Sequence, residues 1–463
     1  MHDQVKSSAR REIPAVNKVL EALGHYDLPR PMIVDLVRRE LSKIRAKADI
    51  PDLESIVDLL RRSLGKLHAS RLQPIINGTG IVIHTNFGRA PLAPEAIRAL
   101  NEIGPAYSNL EYDLATGERG RRGAYIENAL ALLCGAESAT IVNNCAAALV
   151  IIVRHFTTDK PEIVISRGEM VQIGGGFRVG EIIEAAGAKL HEIGATNKTT
   201  LNDYAKAIGR NTALVLKVHR SNFFMSGFVE SPSSAAIAEL ARKKRIPFVE
   251  DLGSGSVVAT ETLGIVEHER TPVEALKDGV DLVCFSGDKL FGGPQAGIIA
   301  GKKRFVAALK REPLFRALRC DKLVFAALQA TVDLHLNQLQ KPSRVEATSG
   351  VSAIALLQVS EDELRGRATA IAGRLEGLPG RIAIGRGRAK VGGGTLPRST
   401  MSSFTIDIIP ENCSLADFAT RLRASNPPVI GYIADDQFKL DLRTIFPQQD
   451  DLVVDAICVA CTK

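Results

Sequence analysis

The sequence predicts an α/β fold centred on a mostly parallel sheet, and three observations carry that prediction. Short apolar runs recur at 139–142, 163–166, 213–218, 247–250, 282–285 and 297–300, the length of buried strands rather than of helices. Longer stretches of helical character separate them, and strands alternating with helices imply right-handed crossovers and parallel pairing. Asn143, Asp251 and Lys289 each follow one of these runs directly or nearly so. Open α/β sheets bind ligands outside the carboxyl ends of their strands, so three polar groups distant in sequence are expected to meet in one crevice.

Two further regions flank this part. Residues 1–73 read as a small helical domain. Ile33, Leu36, Val37, Leu41 and Ile44 fall at helical spacing, and so do Ile56, Leu59, Leu60, Leu64 and Leu67, with Pro51 between the two sets. Arg38, Arg39, Lys43, Arg45 and Lys47 occupy much of the first helix's remaining surface, and Arg61 and Arg62 lie beside the second. The α/β part spans 74–330. Residues 331–463 read as a smaller α+β domain, with strands expected at 402–409 and 439–442 and a glycine- and arginine-rich loop at 380–394.

Composition narrows the function classes. A chain of 463 residues is too long for one small core. Mean hydropathy is +0.04, and no uninterrupted apolar stretch reaches the ~20 residues that span a bilayer. The N-terminus is polar, without a signal-like apolar segment, and seven scattered cysteines fit a reducing compartment. Cytoplasm is therefore expected, with no membrane association. Net charge is +7, of which +4 falls within residues 1–73. A basic module suits a polyanionic partner, because neutralising phosphates dominates nucleic-acid affinity.

The richest segment is Cys284-Phe285-Ser286-Gly287-Asp288-Lys289-Leu290-Phe291-Gly292-Gly293-Pro294-Gln295-Ala296-Gly297. A buried strand ends in a polar turn that delivers one lysine, and lysines avoid interiors unless they have a task. A lysine so placed can lose its proton and form a Schiff base with a carbonyl. The arrangement resembles the cofactor lysine of fold-type-I pyridoxal-phosphate enzymes. Ile76-Asn77-Gly78-Thr79-Gly80, His84-Thr85-Asn86-Phe87-Gly88-Arg89, Leu110-Glu111-Tyr112-Asp113 and Ile141-Val142-Asn143-Asn144 add to it. So do Ser166-Arg167-Gly168-Glu169, Gly194-Ala195-Thr196-Asn197, Lys217-Val218-His219-Arg220-Ser221-Asn222 and Asp251-Leu252-Gly253-Ser254-Gly255-Ser256. In order, spacing and identity, from about Pro74 to Asp321, the chain resembles the bacterial selenocysteine synthases (L-seryl-tRNA(Sec) selenium transferases).

The resemblance implies pyridoxal 5′-phosphate as cofactor and conversion of seryl-tRNA(Sec) to selenocysteinyl-tRNA(Sec) with selenophosphate, by way of an aminoacrylyl-tRNA. It implies that Lys289 holds the cofactor and moves the α-proton, and that Asp251 keeps the ring nitrogen protonated. Asn143 and Asn144 open an alanine-rich helix whose start suits an anion; they and Ser286 are expected at the cofactor phosphate. The segment lacks the glycine fingerprint of a dinucleotide site. His219 is expected to pack on the ring or reach the substrate, although Arg220 stands where the family suggests a small hydroxyl residue. Arg89, Arg316 and Arg319 are expected to receive selenophosphate, the latter two on one face if their stretch is helical, and Asp288 to assist a proton or phosphate. A homo-oligomer is implied, a dimer at minimum and a ring of dimers by family resemblance. His84 keeps an open role. Cys458 and Cys461 have no further ligands near in sequence, so an ordinary terminal helix is expected there and no metal site.

Overall fold

The computed structural model describes residues 14–46, 50–172, 174–220, 222–340, 351–392 and 395–462. The chain divides into two compact units, Met1–Pro74 and Ile75–Lys463.

In the first unit the helices Val16–Leu23, Arg30–Arg45 and Leu53–Ala69 enclose their own apolar core. Helical spacing puts Leu36, Val37, Leu41 and Ile44 on the buried side of the second helix, and Ile56, Val57, Leu60 and Leu64 on that of the third. The third starts where Asp52, just after Pro51, accepts a hydrogen bond from the Ser55 N–H at 2.7 Å. Arg38, Arg39, Lys43, Arg45, Arg61 and Arg62 are exposed; Lys47 lies outside the described residues.

The second unit contains strands β1 (Ile76–Asn77), β2 (Ile81–Ile83), β3 (Ser138–Val142), β4 (Glu162–Ser166), β5 (Lys189–Ile193), β6 (Thr212–Val218) and β7 (Phe248–Gly253). They are followed by β8 (Leu282–Ser286), β9 (Gly297–Gly301), β10 (Gly380–Gly392), β11 (Thr395–Pro410), β12 (Val429–Ile430), β13 (Tyr432–Ala434) and β14 (Gln437–Asp441). Seven form one sheet in the order β3-β9-β8-β7-β6-β4-β5. Pairing is parallel from β5 through β8, while β9 runs antiparallel to both β8 and β3. All six predicted runs are strands of this sheet. β5 escaped the reading because Lys-Leu-His-Glu-Ile is an edge strand in which only Ile193 is buried.

Side-chain alternation divides the core between the two faces of the sheet. Val283 and Phe285 join Phe248, Phe291, Leu328 and Val332 on one face. Leu282 and Cys284 join Val249 and the helix Cys145–Phe156 on the other. Asp251 pairs in register with Cys284 and stands two residues beyond Val249, so it points to that second face. It lies within β7 rather than after it, as the sequence suggested.

A five-stranded sheet, β13-β14-β11-β10-β2, carries the C-terminal part, and β1 pairs with β12. β1 and β2, early in the chain, thus pair with late strands. Position 330 lies inside the helix Lys322–Gln340. The expected loop at 380–394 is corrected over its described residues: Gly380–Gly392 is the strand β10, antiparallel to β11. Its glycines answer close approach rather than turning. A Cβ on Gly385 would stand 2.2 Å from Asp407 Oδ2, and one on Gly387 2.7 Å from Asp441 Oδ2, so buried carboxylates from β11 and β14 fill that space. Gly394 lies outside the described residues.

Candidate active site

The carboxyl ends of β6, β7 and β8 and the start of the helix Cys145–Phe156 surround a cavity of about 580 Å³. Lys289, Asp251, Asn144, Ser286, His219, Asp288 and Arg89 all line it.

Lys289 is half-buried, on a turn pinned by backbone hydrogen bonds. Gly287 N–H donates to Ala296 at 2.8 Å, Leu290 N–H to Ser254 at 3.0 Å, and Gly292 N–H to the Lys289 carbonyl at 2.9 Å. The amine is thereby aimed by a rigid loop on a fully buried strand. Asp251 is 6% exposed. Its Oδ1 accepts from Gly253 N–H at 2.9 Å and from the Cys145 thiol at 3.5 Å. Burial pushes its carboxyl above the ordinary range, against the pull of the Gly253 amide and Lys289.

Asn144 caps the helix Cys145–Phe156 by accepting from Ala147 N–H at 2.8 Å, which leaves the amides of Cys145 and Ala146 outside the helix ladder. Those amides and the Ser286 hydroxyl are donors on the cavity wall. Asn143 does not join them: it is exposed, and its backbone N–H donates to the Leu318 carbonyl at 2.9 Å. Gly297 begins β9 directly against this helix start, and a Cβ there would lie 2.1 Å from the Asn144 carbonyl oxygen. Gly297→Ala is therefore expected to displace the helix start. Overpacking of this kind costs about 1–3 kcal/mol; a lowered Tm and an approximately tenfold weaker cofactor affinity, read by fluorescence titration, would register it.

His219 anchors its backbone N–H on the Asp251 carbonyl at 2.8 Å. Its Nδ1 is buried without a hydrogen-bond partner, 3.6 Å from Glu269 Oε1. Burial, reinforced by Lys217, Arg220, Arg270 and Lys289, pushes the imidazole down to about 4, so it is neutral at physiological pH. Glu269, absent from the sequence reading, is almost wholly buried, accepts from the Ser254 hydroxyl, and is pushed by burial up to about 7. It sits in a segment without periodicity, so no sequence signal linked it to His219.

The sign of the Glu269 effect follows from linkage. The native state keeps a proton that an unfolded chain loses near 4.5, so the stability it contributes is full below that value and is lost as pH rises through about 7. Glu269→Gln removes that loss. The Tm of E269Q relative to the parent is expected to climb between pH about 5 and about 8, as thermal scans across pH would show.

Asp288 is buried; one oxygen meets Arg89 Nη1 at 2.7 Å and the other has no partner. Arg89 holds a left-handed backbone at φ 68°, an uncommon and strained state for a non-glycine residue. Arg316 and Arg319 line no part of this cavity. The expected shared helix face is corrected: the helix Pro313–Leu318 carries an exposed Arg316 but ends before Arg319, whose backbone is extended and whose guanidinium is 3.4 Å from Glu111. His84 stacks on Phe87 with ring centroids 3.7 Å apart. Cys458 and Cys461 lie in the helix Asp450–Thr462.

A primary amine, a buried carboxylate, a neutral imidazole and free amides at a helix start fit the cofactor that the sequence resemblance implies. The unpartnered His219 Nδ1 and Asp288 oxygen leave polar capacity there for a further molecule.

Comparison with known proteins agrees. The family described as SelA: L-seryl-tRNA selenium transferase matches residues 75–446. The chain is 42% identical over 455 residues to the L-seryl-tRNA(Sec) selenium transferase of Carboxydothermus hydrogenoformans, covering 95% of each. It is 39% identical over 443 residues to that of Aquifex aeolicus, covering 95% of this chain and 96% of the relative. Among solved structures, D-glucosaminate-6-phosphate ammonia-lyase matches with a TM-score of 0.58 at 20% identity, over 87% of this chain and 97% of that one, a likeness of fold. The fold is that of the type I pyridoxal-phosphate enzymes. An α/β sheet that delivers Lys289 and Asp251 to one cavity, and identity of about 40% sustained along nearly the whole chain, place this protein in the L-seryl-tRNA selenium transferase family.

Proposed function

We propose that this protein converts L-seryl-tRNA(Sec) to L-selenocysteinyl-tRNA(Sec), with pyridoxal 5′-phosphate as cofactor and selenophosphate as selenium donor. The observation that carries the reading is the convergence of Lys289, Asp251, His219 and the start of the helix Cys145–Phe156 on one cavity. The cofactor, when bound, supplies an electron sink for negative charge at the seryl α-carbon. Lys289 provides the amine that anchors it and the base that takes the α-proton. Asp251 serves the ring nitrogen with a carboxylate withdrawn from water. The Cys145 and Ala146 amides and Ser286 receive the phosphate. His219, uncharged, offers a flat face to the ring without adding a competing positive charge. Asp288 is assigned to the departing side of the seryl group, where Arg89 holds one of its oxygens and the other is left without a partner to meet the substrate.

Arg89, Arg316 and Arg319 are assigned to the anionic donor. The latter two stand outside the cavity of their own chain, which suits a site shared between subunits of a homo-oligomer, at least a dimer. The basic helical unit Met1–Pro74 is assigned to the body of the tRNA, and a tRNA substrate suits a cytoplasmic protein. Among the described residues no helix is long and apolar enough to cross a membrane.

The test is the visible spectrum before and after adding seryl-tRNA(Sec), with free serine as comparison. A cofactor band that shifts with the tRNA alone supports the reading. A band that ignores the tRNA and answers a small amine overturns it in favour of a small-substrate lyase, and no band after adding pyridoxal phosphate removes both. For the donor site, Arg316→Ala is expected to leave loss of the seryl hydroxyl intact and to lower selenium transfer at least about tenfold, the order of one charge-assisted hydrogen bond. Single-turnover assays with and without selenophosphate separate the two steps.

A further inference from the structure

Cys145, Asp251 and Cys284 form a cluster on the floor of the cavity that the proposed chemistry leaves partly unused. Cys145 opens the helix Cys145–Phe156, and Asp251 and Cys284 are register partners on β7 and β8 facing that helix. Both thiols are free. The two sulfurs and a carboxylate oxygen lie within 4.8 Å of one another. Cys145 lines the cavity, so the cluster opens to it.

From these positions we infer a binding site for a thiophilic divalent cation such as Zn²⁺ or Cd²⁺, held by Cys145 Sγ, Cys284 Sγ and the Asp251 carboxylate, with the cavity supplying a fourth ligand. Tetrahedral zinc with bonds of about 2.3 Å to sulfur and 2.1 Å to oxygen puts a sulfur and an oxygen about 3.6 Å apart. The Cys145 Sγ to Asp251 Oδ1 separation is 3.5 Å, so two of the three ligands already stand at bonding geometry. Two thiolates and a carboxylate outweigh the single positive charge of Lys289 nearby. Binding displaces two thiol protons to solvent and changes no oxidation state.

The consequence rests on the function proposed above. An ion on Asp251 would neutralise the carboxylate that the protonated ring nitrogen needs and set a like charge against that nitrogen, so the ion and pyridoxal phosphate exclude each other. A cofactor-free molecule that has captured the ion loads cofactor only after releasing it.

The experiment uses the full chain stripped of cofactor and titrated with Cd²⁺ alone, followed by the ultraviolet thiolate-to-cadmium absorption. One equivalent is expected to produce a band that Cys145→Ser and Cys284→Ser each lose and that Cys134→Ser, a buried cysteine elsewhere, keeps. Saturating Zn²⁺ is expected to slow pyridoxal phosphate loading at least tenfold in the parent and not in Cys145→Ser. A band undiminished in both cluster variants overturns the site, and cofactor loading indifferent to Zn²⁺ overturns the exclusion. Should Cys284→Ser misfold by circular dichroism, Cys145→Ser, at the cavity wall, decides alone. The Cd²⁺ band is read without cofactor, so a protein that never takes up pyridoxal phosphate would refute the proposed function and still leave the ion site tested.

Discussion

Replacing Lys289 with alanine is expected to abolish the visible absorbance of the bound cofactor and to lower conversion of seryl-tRNA(Sec) at least about 10³-fold. The variant loses two functions at once, the amine that anchors the cofactor and the base that moves the α-proton, and the second alone contributes about 10²–10⁴-fold in enzymes. The fold should survive. The turn around Lys289 is held by backbone hydrogen bonds from Gly287, Leu290 and Gly292 that need no lysine side chain, and the amine is only half-buried. Thermal stability, the absorbance spectrum and single-turnover conversion on one preparation give the answer. A variant that keeps both band and turnover would remove Lys289 from the chemistry.

That residue was legible because its context is local. A fully apolar run followed by a polar turn states both a buried strand and its carboxyl end, and such ends hold ligands. Asp251, Ser286 and Asn144 are readable in the same way. What failed was whatever depends on register or on distant pairing. Cys145 and Cys284 meet because Cys284 stands beside Asp251 across β7 and β8, a fact no local pattern carries. Glu269 reaches His219 from fifty positions away through a segment without periodicity. The strand β10 has the composition of a loop because glycine more often breaks an element, whereas here it makes room for Asp407 and Asp441. The spacing of Arg316 and Arg319 suits one helix face only where the helix continues, and it stops at Leu318.

Removing the unit Met1–Pro74 is the other change with a large expected effect. The remaining chain keeps every residue that lines the cavity, and the deleted helices enclose their own core of Leu36, Leu41, Leu60, Leu64 and their neighbours. The shortened protein is therefore expected to hold its cofactor band while its conversion of seryl-tRNA(Sec) at sub-saturating tRNA falls at least about 100-fold, the scale on which removing a few phosphate-binding cations weakens nucleic-acid binding. A milder variant separates charge from shape. Arg38, Arg45, Arg62 and Lys66 are exposed and make no ion pair with a described acid, so changing them to glutamine leaves the helices' packing alone. Each phosphate left without its cation in this way flattens the log–log dependence of tRNA affinity on salt by up to about 0.9. A shallower slope with an unchanged cofactor spectrum would assign the tRNA body to this basic surface. An unchanged slope together with full activity of the shortened protein would show that the tRNA is recognised by the α/β unit alone, and the surplus charge of the first unit would then be an ordinary solvated surface.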